Sequence, residues 1–533
     1  MVRRVSQPTA ALALAVADPG FTPGKHDLAA VIDLLGDADE AIAEHAERAL
    51  LRAGGPAGPA LQRRLPESSA PLRARIVRAL GRLAVTEDTL RATLLGCLGD
   101  ADPKARRNAI VALGKLEPPA SAALVEHARV ETSVPHLRSL AEALGKCGDA
   151  AALAWLDALV HDDPELQRLR GRAQLMLRRS LGREHTPAAI DDDVVAAAPR
   201  IVIATCRPGL EDILCGSLDA VDAAQVAGPG RVVLRSVGPL RRLGLARTLL
   251  TLGFPLGLRA LRPGPDALVA GLSAALTGPE AQEIFQTWSK GQVRYRLAWA
   301  RGGHRRAVVW RVAEAVSRLR PELVNDPTAS PWEVVVDDSN GALQVELRPR
   351  WHDVRFAYRV GEVPAASHPT IAAAIARLAG VRPEDVVWDP FTGSGLELVE
   401  RGLLGPYARL IGSDLDPKAL ATADANLKSA GLGRFELHAA DAMTFTPEGV
   451  TLIVSNPPMG RRVQRGDVAP LLSGFLASAG RLLQPGGRLV WISPLPRVTQ
   501  PAARDAGLVC RRAEPLDMGG FTGQLEVWAK PVK

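Results

Sequence analysis

The sequence predicts three folds in succession: an α-helical solenoid, a mixed α+β segment and a doubly wound α/β domain. A helical unit of roughly 31 residues repeats through the first third of the 533 residues. Strands first appear near residue 200, and strand and helix alternate regularly over residues 369–533. The composition, with 47% hydrophobic and 23% charged residues, is that of an ordinary globular protein.

The repeat is marked by the tripeptide Ala-Leu-Gly. It occurs at 79–81, 112–114 and 143–145, so its spacings are 33 and 31 residues. Each unit contains an Asp/Pro turn, a helix whose apolar residues are three and four apart, a glycine that stops the helix, and a second helix. Such hairpins stack on their neighbours. The pattern resembles short HEAT repeats, and we assign residues 1–182 to this array and residues 183–199 to a linker.

The middle segment, residues 200–364, mixes strands and helices. Apolar runs predict strands at 200–205, 231–235 and 293–300. Helical periodicity predicts helices near 239–251, 266–276, 279–288 and 307–319. The runs at 332–337 and 342–348 flank a turn and predict a hairpin. This segment contains no catalytic constellation, so the chemistry is expected elsewhere.

The final domain, residues 365–533, alternates strand and helix. Strands are predicted at 386–389, 410–413, 435–438, 452–455 and 487–492, with a terminal pair near 508–512 and 524–529. The intervening helices begin near 395, 417 and 469. This order predicts a Rossmann-like, mainly parallel sheet. Ligands of such sheets bind beyond the carboxyl ends of the strands, and we expect the site there.

Glycine and acidic residues follow the first three strands of this domain. A glycine-rich turn runs from Asp389 to Gly395, and Asp414 and Asp441 end the next two strands. Carboxylates at these positions can accept hydrogen bonds from ribose hydroxyls and an adenine amino group. Asp416 is read equally well as a helix cap. The candidate cofactor-binding residues are Asp389, Phe391, Gly393, Gly395, Asp414 and Asp441, with Phe391 alternatively a core residue.

The tetrapeptide Asn-Pro-Pro-Met at 456–459 ends the fourth strand and predicts amino-group chemistry. Its amide oxygen and the following carbonyl can hold an exocyclic NH₂ by hydrogen bonds, while the prolines fix the backbone. A Gly-x-Gly turn alone equally fits a dinucleotide enzyme, but this tetrapeptide favours S-adenosyl-L-methionine (SAM) as the cofactor. The methyl of a sulfonium is already activated, so we expect no metal. The candidate catalytic residues are Asn456, Pro457, Pro458 and Met459.

Basic residues cluster between 286 and 320, where nine Lys and Arg accompany one acid, Glu314. The net charge of the chain is +7 and its pI about 9.4. The cluster predicts either a solvated basic face or a footprint for a phosphate backbone. The candidate RNA-binding residues are Arg294, Arg305, Arg306, Arg461 and Arg462.

The motifs at 389–395 and 456–460 are similar to the SAM and amino-group motifs of the THUMP-domain RNA guanine-N2 methyltransferases, which modify tRNA or 23S rRNA. The segments 204–211 and 355–371 are similar to other parts of that family. The resemblance implies a class I SAM-dependent methyltransferase domain, a THUMP-like RNA-binding region at 200–364, and N2-methylguanine as the product. The HEAT-like array lies outside the usual plan of that family.

The fourth residue of the tetrapeptide departs from the family's pattern. In the resembled family a Tyr or Phe usually stands at the position of Met459 and stacks on the target base. Met459 is flexible and polarisable and contacts rings favourably. Three outcomes are open: Met459 substitutes, Phe521 reaches in from the C-terminal loop, or the activity is lost or redirected.

Other functions stay open on the sequence alone. They are methylation of a protein glutamine, amino methylation of DNA, and RNA-binding scaffolding with weakened catalysis, in which the HEAT-like array holds a protein partner. The five cysteines show no paired spacing, which indicates a reducing compartment, and we expect a cytoplasmic protein. No apolar run approaches the roughly 20 residues of a membrane span.

Overall fold

The computed structural model describes residues 7–83, 88–185, 187–218, 223–260, 264–303, 305–364, 366–459 and 468–532. The chain divides into two compact units, residues 1–188 with 304–329 and residues 189–303 with 330–533. In the described stretches, no helix has both the length and the apolar character to cross a bilayer.

The helices are α1 (Gln7–Ala17), α2 (Leu28–Leu34), α3 (Glu40–Ala53), α4 (Ala57–Arg64), α5 (Ala70–Leu80), α6 (Asp88–Gly96), α7 (Pro103–Leu113), α8 (Ser121–Val130), α9 (Val134–Cys147), α10 (Ala150–Ala158), α11 (Pro164–His185), α12 (Glu211–Leu218), α13 (Leu240–Gly244), α14 (Pro265–Thr277), α15 (Pro279–Trp288), α16 (Arg306–Leu319), α17 (Pro369–Ala379), α18 (Leu396–Leu404), α19 (Pro417–Ser429), α20 (Ala469–Leu482) and α21 (Pro496–Asp505).

The strands are β1 (Ala188–Ile190), β2 (Arg200–Thr205), β3 (Ala224–Gly228), β4 (Arg231–Ser236), β5 (Thr251–Ala260), β6 (Ser289–Gly291), β7 (Arg294–Trp299), β8 (Val324–Asn325), β9 (Trp332–Asp337), β10 (Ala342–Pro349), β11 (Val386–Asp389), β12 (Arg409–Asp414), β13 (Phe435–Ala439), β14 (Leu452–Ser455), β15 (Arg488–Ser493), β16 (Val509–Asp517) and β17 (Thr522–Ala529).

The first unit is an array of helical hairpins that share one apolar core, as the repeat predicts. The glycines of the Ala-Leu-Gly tripeptides lie where consecutive repeats meet. A Cβ added to Gly81 would lie 2.5 Å from the Cβ of Ala112, and one added to Gly114 would lie 2.8 Å from the Cβ of Ala143. Both glycines have φ of −70°, a conformation open to any residue. Gly81 and Gly114 end α5 and α7, as predicted, and they also allow close packing between repeats, whereas Gly145 lies inside α9.

Helix α16 belongs to this same unit, although it lies between β7 and β9 in the sequence. The guanidinium groups of Arg172 and Arg179 from α11 lie 5.3 and 4.9 Å from the ring centroid of Trp310 on α16. Arg183, also on α11, donates to the buried carboxylate of Asp326 at 2.6 Å. The predicted linker at 183–199 is therefore wrong at its start, because α11 continues to His185 and its last turn is held by an ion pair.

The second unit contains a seven-stranded sheet in the order β13-β12-β11-β14-β15-β17-β16. Its first five strands are parallel, and β17 and β16 are antiparallel to their neighbours. This confirms the predicted doubly wound sheet, and each predicted strand lies within a few residues of the observed one. Because β12, β11 and β14 run side by side, their carboxyl ends meet at one edge.

The other sheet of this unit has the order β3-β4-β2-β5-β10-β9-β7 within the unit. The predicted hairpin at 332–348 is confirmed as the antiparallel pair β9 and β10. The predicted helix at 239–251 is wrong in its second half, because α13 ends at Gly244 and β5 begins at Thr251. Pro255 and Gly257 interrupt the apolar run of β5, so the sequence pattern there is more typical of a loop than of a strand. The pairing of β5 with β10 is irregular there, and Gly257 has φ of +54°, which accommodates both residues.

Two buried ionic clusters hold the parallel sheet in place. Asp385, before β11, accepts hydrogen bonds from Arg401 and Arg488 at 2.8–2.9 Å. Burial opposes ionisation of this carboxyl, but the two arginines outweigh it and lower its pKa to about 2. Glu400 on α18 accepts a bidentate pair from Arg247 at 2.6 and 2.8 Å and a hydrogen bond from Tyr358. This second cluster joins residues 189–303 to residues 330–533 within the unit, since Arg247 lies in the first stretch and Glu400 and Tyr358 lie in the second.

Candidate functional site

The glycine turn after β11 has the conformation that its sequence predicts. Gly393 has φ of +51° and Gly395 has φ of +80°, where a side chain is disfavoured. Gly395 caps α18 and lies so close to α19 that an added Cβ would be 3.0 Å from the Cβ of Ala423. Asp414, at the end of β12, accepts a hydrogen bond from the Gly393 N–H at 2.9 Å. The turn and the second acidic position are therefore brought together, as predicted.

Asp389 lies fully buried at the tip of β11. Its Oδ1 accepts hydrogen bonds from the Ser455 hydroxyl at 2.9 Å and the Phe391 N–H at 3.2 Å. Its Oδ2 finds no hydrogen-bond partner in the described part of the chain. Burial, with the nearby Glu397 carboxylate, raises the pKa of Asp389 well above its usual range. The ring of Phe391 packs edge to face on Phe475 at 5.4 Å, which favours the alternative of a core residue that supports the turn.

The remaining acidic residues divide between cap and site. Asp416 accepts from the Lys418 N–H at 2.9 Å and caps α19, so the alternative of a cap describes its contact. Asp441 lies two residues beyond β13 and accepts from the Met443 N–H at 2.9 Å. Asp414 is half-buried at the edge of the turn. Asp414 and Asp441 remain the predicted partners for ribose and adenine.

Asn456 follows β14 directly, and its amide has two different environments. Its Nδ2 donates to the Ser367 hydroxyl at 2.7 Å. Its Oδ1 is buried and has no hydrogen-bond partner among the described residues. An unsatisfied buried acceptor costs about 1–3 kcal/mol, so this oxygen is a candidate acceptor for a ligand group. Pro457 is buried and Pro458 half-buried, which fixes the backbone at this tip.

Two residues of this site were missed in the sequence. Ser367 donates to Glu397 Oε1 at 2.5 Å, so the three side chains form a chain from Asn456 through Ser367 to Glu397. Glu397 is 4% exposed, and its burial, together with the charge of Glu400, raises its pKa to about 7. A glutamate on the buried face of α18, among Leu396, Leu398 and Val399, was the available signal.

Met459 is half-buried at the end of the tetrapeptide. Phe521 lies in the turn between β16 and β17, where its carbonyl accepts from the Met518 N–H at 2.9 Å. Ser493, at the carboxyl end of β15, pairs with Gln524, so Phe521 lies beyond the same edge of the sheet as Asn456. Both proposed substitutes for an aromatic fourth residue thus stay predictions.

The basic residues behave differently from one another. Arg294 is 2% exposed and donates a hydrogen bond to Gln292. The prediction that it contacts a phosphate is wrong, because its side chain is buried in the protein. Arg305 and Arg306 are exposed at the start of α16 and remain candidates. Arg461 and Arg462 lie outside the described residues. Several other cations of the segment are paired, among them Lys290 with Asp191, Arg296 with Glu333, Arg318 with Glu314 and Arg320 with Glu322.

A cavity of approximately 400 Å³ opens beside this edge. Its lining includes Arg355, Phe356, Arg359 and His368, and His368 directly follows Ser367 in the chain. Arg355 is bound by Asp353 and by two backbone carbonyls, whereas Arg359 has an ion pair to Glu362 at 3.1 Å. The lining also contains the acid Asp353, and the guanidinium groups of Arg247 and Arg355 lie 5.1 and 5.0 Å from the ring centroid of Phe356.

The residues at the edge fit SAM. The two positive-φ glycines leave the backbone of the turn bare, which lets a ligand approach it closely. The carboxylate of Asp414 stands beside that turn at the distance of one hydrogen bond. The unpartnered Oδ1 of Asn456 completes the edge with an acceptor for an amine. These donors and acceptors suit a ribose, an adenine and an amino group.

Comparisons with known proteins agree with this arrangement. Two family models match, HEAT repeats at residues 58–142 and an RMKL-like methyltransferase domain at residues 357–522. The chain is 31% identical over 352 residues to the tRNA (guanine(6)-N2)-methyltransferase of Thermus thermophilus, covering 61% of this chain and 98% of that protein. It is 32% identical over 179 residues to the tRNA (guanine(10)-N2)-dimethyltransferase of Methanothermobacter thermautotrophicus, covering 33% of this chain and 50% of that protein.

A solved structure gives the same result. The crystal structure of TrmN from Thermus thermophilus aligns with a TM-score of 0.50 and 28% identity, over 62% of this chain and 99% of that one. The sheet order, the glycine turn and the matched methyltransferase domain define a SAM-dependent N-methyltransferase. More narrowly, the chain belongs to the RMKL-like guanine-N2 methyltransferase family that includes the Thermus thermophilus protein, with HEAT repeats preceding the shared part.

Proposed function

We propose that this protein transfers a methyl group from SAM to the N2 amino group of a guanine in tRNA or 23S rRNA, in the cytoplasm. The observation that carries the proposal is the Asn456 amide. Its NH₂ is already bonded within the protein, while its buried oxygen has no partner among the described residues. That oxygen is an acceptor placed at the carboxyl edge of the sheet, where an amine donor would complete it.

The amine needs this help because its lone pair is delocalised into the guanine ring. Hydrogen bonds from the NH₂ to Asn456 Oδ1 and the Pro457 carbonyl favour a more tetrahedral nitrogen and point its lone pair away from both acceptors. When bound, SAM supplies a methyl activated by its sulfonium. Asp414 and Asp441 would hold its ribose and adenine, and Gly393 and Gly395 would allow close approach of the backbone.

The RNA side of the proposal rests on charge and on the relatives. The related proteins that are matched here are named as acting on guanine N2 of tRNA. We assign residues 200–364 to a THUMP-like RNA-binding region, residues 365–533 to the methyltransferase domain, and residues 1–182 to the HEAT-like array. The cavity that contains Arg355 and Arg359 is also lined by His368, which follows the Ser367 bonded to Asn456, and the two guanidinium groups offer positive charge to an RNA phosphate. Access to N2 requires a flipped or single-stranded guanosine.

Mass spectrometry of nucleosides from a deletion strain tests the proposal. Purified tRNA and 23S rRNA of the deletion strain should lack an N2-methylguanosine that the parent strain contains, and purified protein with SAM should restore it. A strain complemented with Asn456→Ala should behave like the deletion. An unchanged N2-methylguanosine content in both RNA pools would contradict the proposal. Loss of a methylated glutamine or of a methylated DNA base in the deletion strain would instead support methylation of a protein glutamine or of DNA.

A further inference from the structure

The hydroxyl of Ser367 lies between two side chains that come from different elements. It accepts from Asn456 Nδ2 at 2.7 Å and donates to Glu397 Oε1 at 2.5 Å. Glu397 is 4% exposed on α18, and Ser367 precedes α17. Ser367 has a single proton, so the direction of one of its hydrogen bonds constrains the other.

We propose that Ser367 and Glu397 are positioning residues that orient the Asn456 amide, so that its oxygen and not its NH₂ faces the substrate amine. The inference rests on the proposed function, since it concerns the atom that would hold the amine. Neither Ser367 nor Glu397 needs to touch the substrate. Their effect reaches the reacting nitrogen only through Asn456.

The orientation follows from donor and acceptor counts. An ionised Glu397 only accepts, so Ser367 must donate its proton to it, and the lone pairs of Ser367 then accept from the Asn456 NH₂. The amide oxygen is left for the substrate. A protonated Glu397 donates to Ser367 instead, and the serine proton becomes free to bond an amide oxygen. The amide orientation is then no longer fixed, and in the turned orientation its NH₂ meets a substrate NH₂, donor against donor.

The charge of Glu397 therefore decides whether the productive orientation of the Asn456 amide is enforced. Burial raises the pKa of Glu397 to about 7, so both forms exist near neutrality. The titratable groups that face it are Asp389 on β11, Glu400 on α18 and Tyr358 before α17. Burial also raises the pKa values of Asp389 and Tyr358, which keeps the phenol uncharged, while Glu400 is held by Arg247. The productive orientation should be gained as the pH rises through about 7.

Kinetics on the proposed substrate form one arm of the test. With saturating SAM and RNA, kcat of the wild type should rise between pH 6 and 8, whereas Glu397→Gln should give a flat profile because its amide does not titrate. Ser367→Ala should lower kcat about tenfold, the value of one lost hydrogen bond, with the KM for SAM within about twofold. Ser367→Thr should recover most of the loss, since it restores the hydroxyl. The matched control is Ser478→Ala, a buried serine on α20.

The second arm needs no substrate. The side-chain amide NH₂ signals of Asn456 in a ¹⁵N spectrum, assigned by their absence in Asn456→Ala, should move with pH with a midpoint near 7 in the wild type and stay fixed in Glu397→Gln. Fixed signals in the wild type, or a titration that persists in Glu397→Gln, would overturn the proposal that Ser367 and Glu397 orient the Asn456 amide, even if the enzyme is active. If the Asn456 amide signals move with pH but the protein leaves RNA unmethylated, the orienting role of Ser367 and Glu397 would be upheld and the proposed function would be refuted.

Discussion

Replacing Asn456 by alanine removes the side-chain acceptor that the proposed mechanism offers to the amine. The Pro457 carbonyl remains, so one of two acceptors is lost. A single preorganised hydrogen-bonding group in a water-excluded site is worth about 100- to 1000-fold in kcat, or about 2.7–4 kcal/mol. We expect a decrease of that size in Asn456→Ala, with residual transfer from the remaining carbonyl and from proximity.

Cofactor binding should survive this substitution. The side-chain hydrogen bond of Asn456 goes to Ser367, whereas the residues expected to hold SAM follow β11, β12 and β13. We expect the Kd for SAM, measured by isothermal titration calorimetry, to change by less than about threefold, since no SAM contact is removed. Tritium transfer from methyl-labelled SAM to RNA, at saturating concentrations of both, measures kcat.

The control is Asn108→Ala, which removes an asparagine amide that donates to the Ala74 carbonyl inside the HEAT array. It carries the same chemical change far along the sequence from the tetrapeptide, and its transfer rate should equal that of the wild type. Transfer by Asn456→Ala at the wild-type rate would refute the assignment of the amine to this amide. An equal loss of rate and of SAM affinity would show that the substitution damages the cofactor site instead.

Three further substitutions, one of them with a control variant, test the rest of the structure. Asp414→Ala should raise the Kd for SAM by about 10- to 100-fold, because a charge-assisted hydrogen bond is worth about 1.5–3 kcal/mol. Isothermal titration calorimetry measures this Kd. Asp385→Ala should lower the free energy of unfolding in urea by about 3–5 kcal/mol, because two buried arginines lose their counter-charge. The pKa of Asp385 is lowered on folding, so its contribution is complete above about pH 4 and disappears as the pH falls through about 2, which acid titration of wild type and variant should reveal. Gly114→Ala should destabilise the array by about 1–3 kcal/mol, because the new Cβ would lie 2.8 Å from that of Ala143. The control Gly96→Ala, whose new Cβ would have no atom within 4 Å, should be neutral or stabilising. Equal melting temperatures of these two variants would contradict the packing role of Gly114.

The parallel sheet was predictable because its strands are short, continuous apolar runs that end in polar or glycine residues. Strand β5 was not, since Pro255 and Gly257 interrupt the run and the sheet absorbs them through an irregular pairing. The glycines of the Ala-Leu-Gly tripeptides were correctly predicted to end helices at Gly81 and Gly114, but their packing against the next repeat was not predicted. Their φ angles are ordinary, and only the distance to the next repeat reveals their purpose.

The edge of the site was predictable for a topological reason, since carboxyl ends of neighbouring parallel strands converge. The chain from Asn456 through Ser367 to Glu397 was not predictable, because its hydrogen bonds join residues 89 and 30 positions apart. A count of charged residues also does not predict which of them are buried. Arg294 belongs to the basic run in the sequence, yet its guanidinium is enclosed by the fold.

The docking of α16 on α11 decides where this protein can be cut. An N-terminal fragment that stops at residue 188 would lose Trp310, whose ring contacts two arginines of α11, along with the partner of Arg183. A C-terminal fragment that starts there would carry α16 with its apolar side, including Val312 and Val316, uncovered. Expression boundaries drawn from the repeat alone should therefore yield insoluble halves. A fragment of the array that is joined by a short designed loop to residues 305–329 should fold by itself.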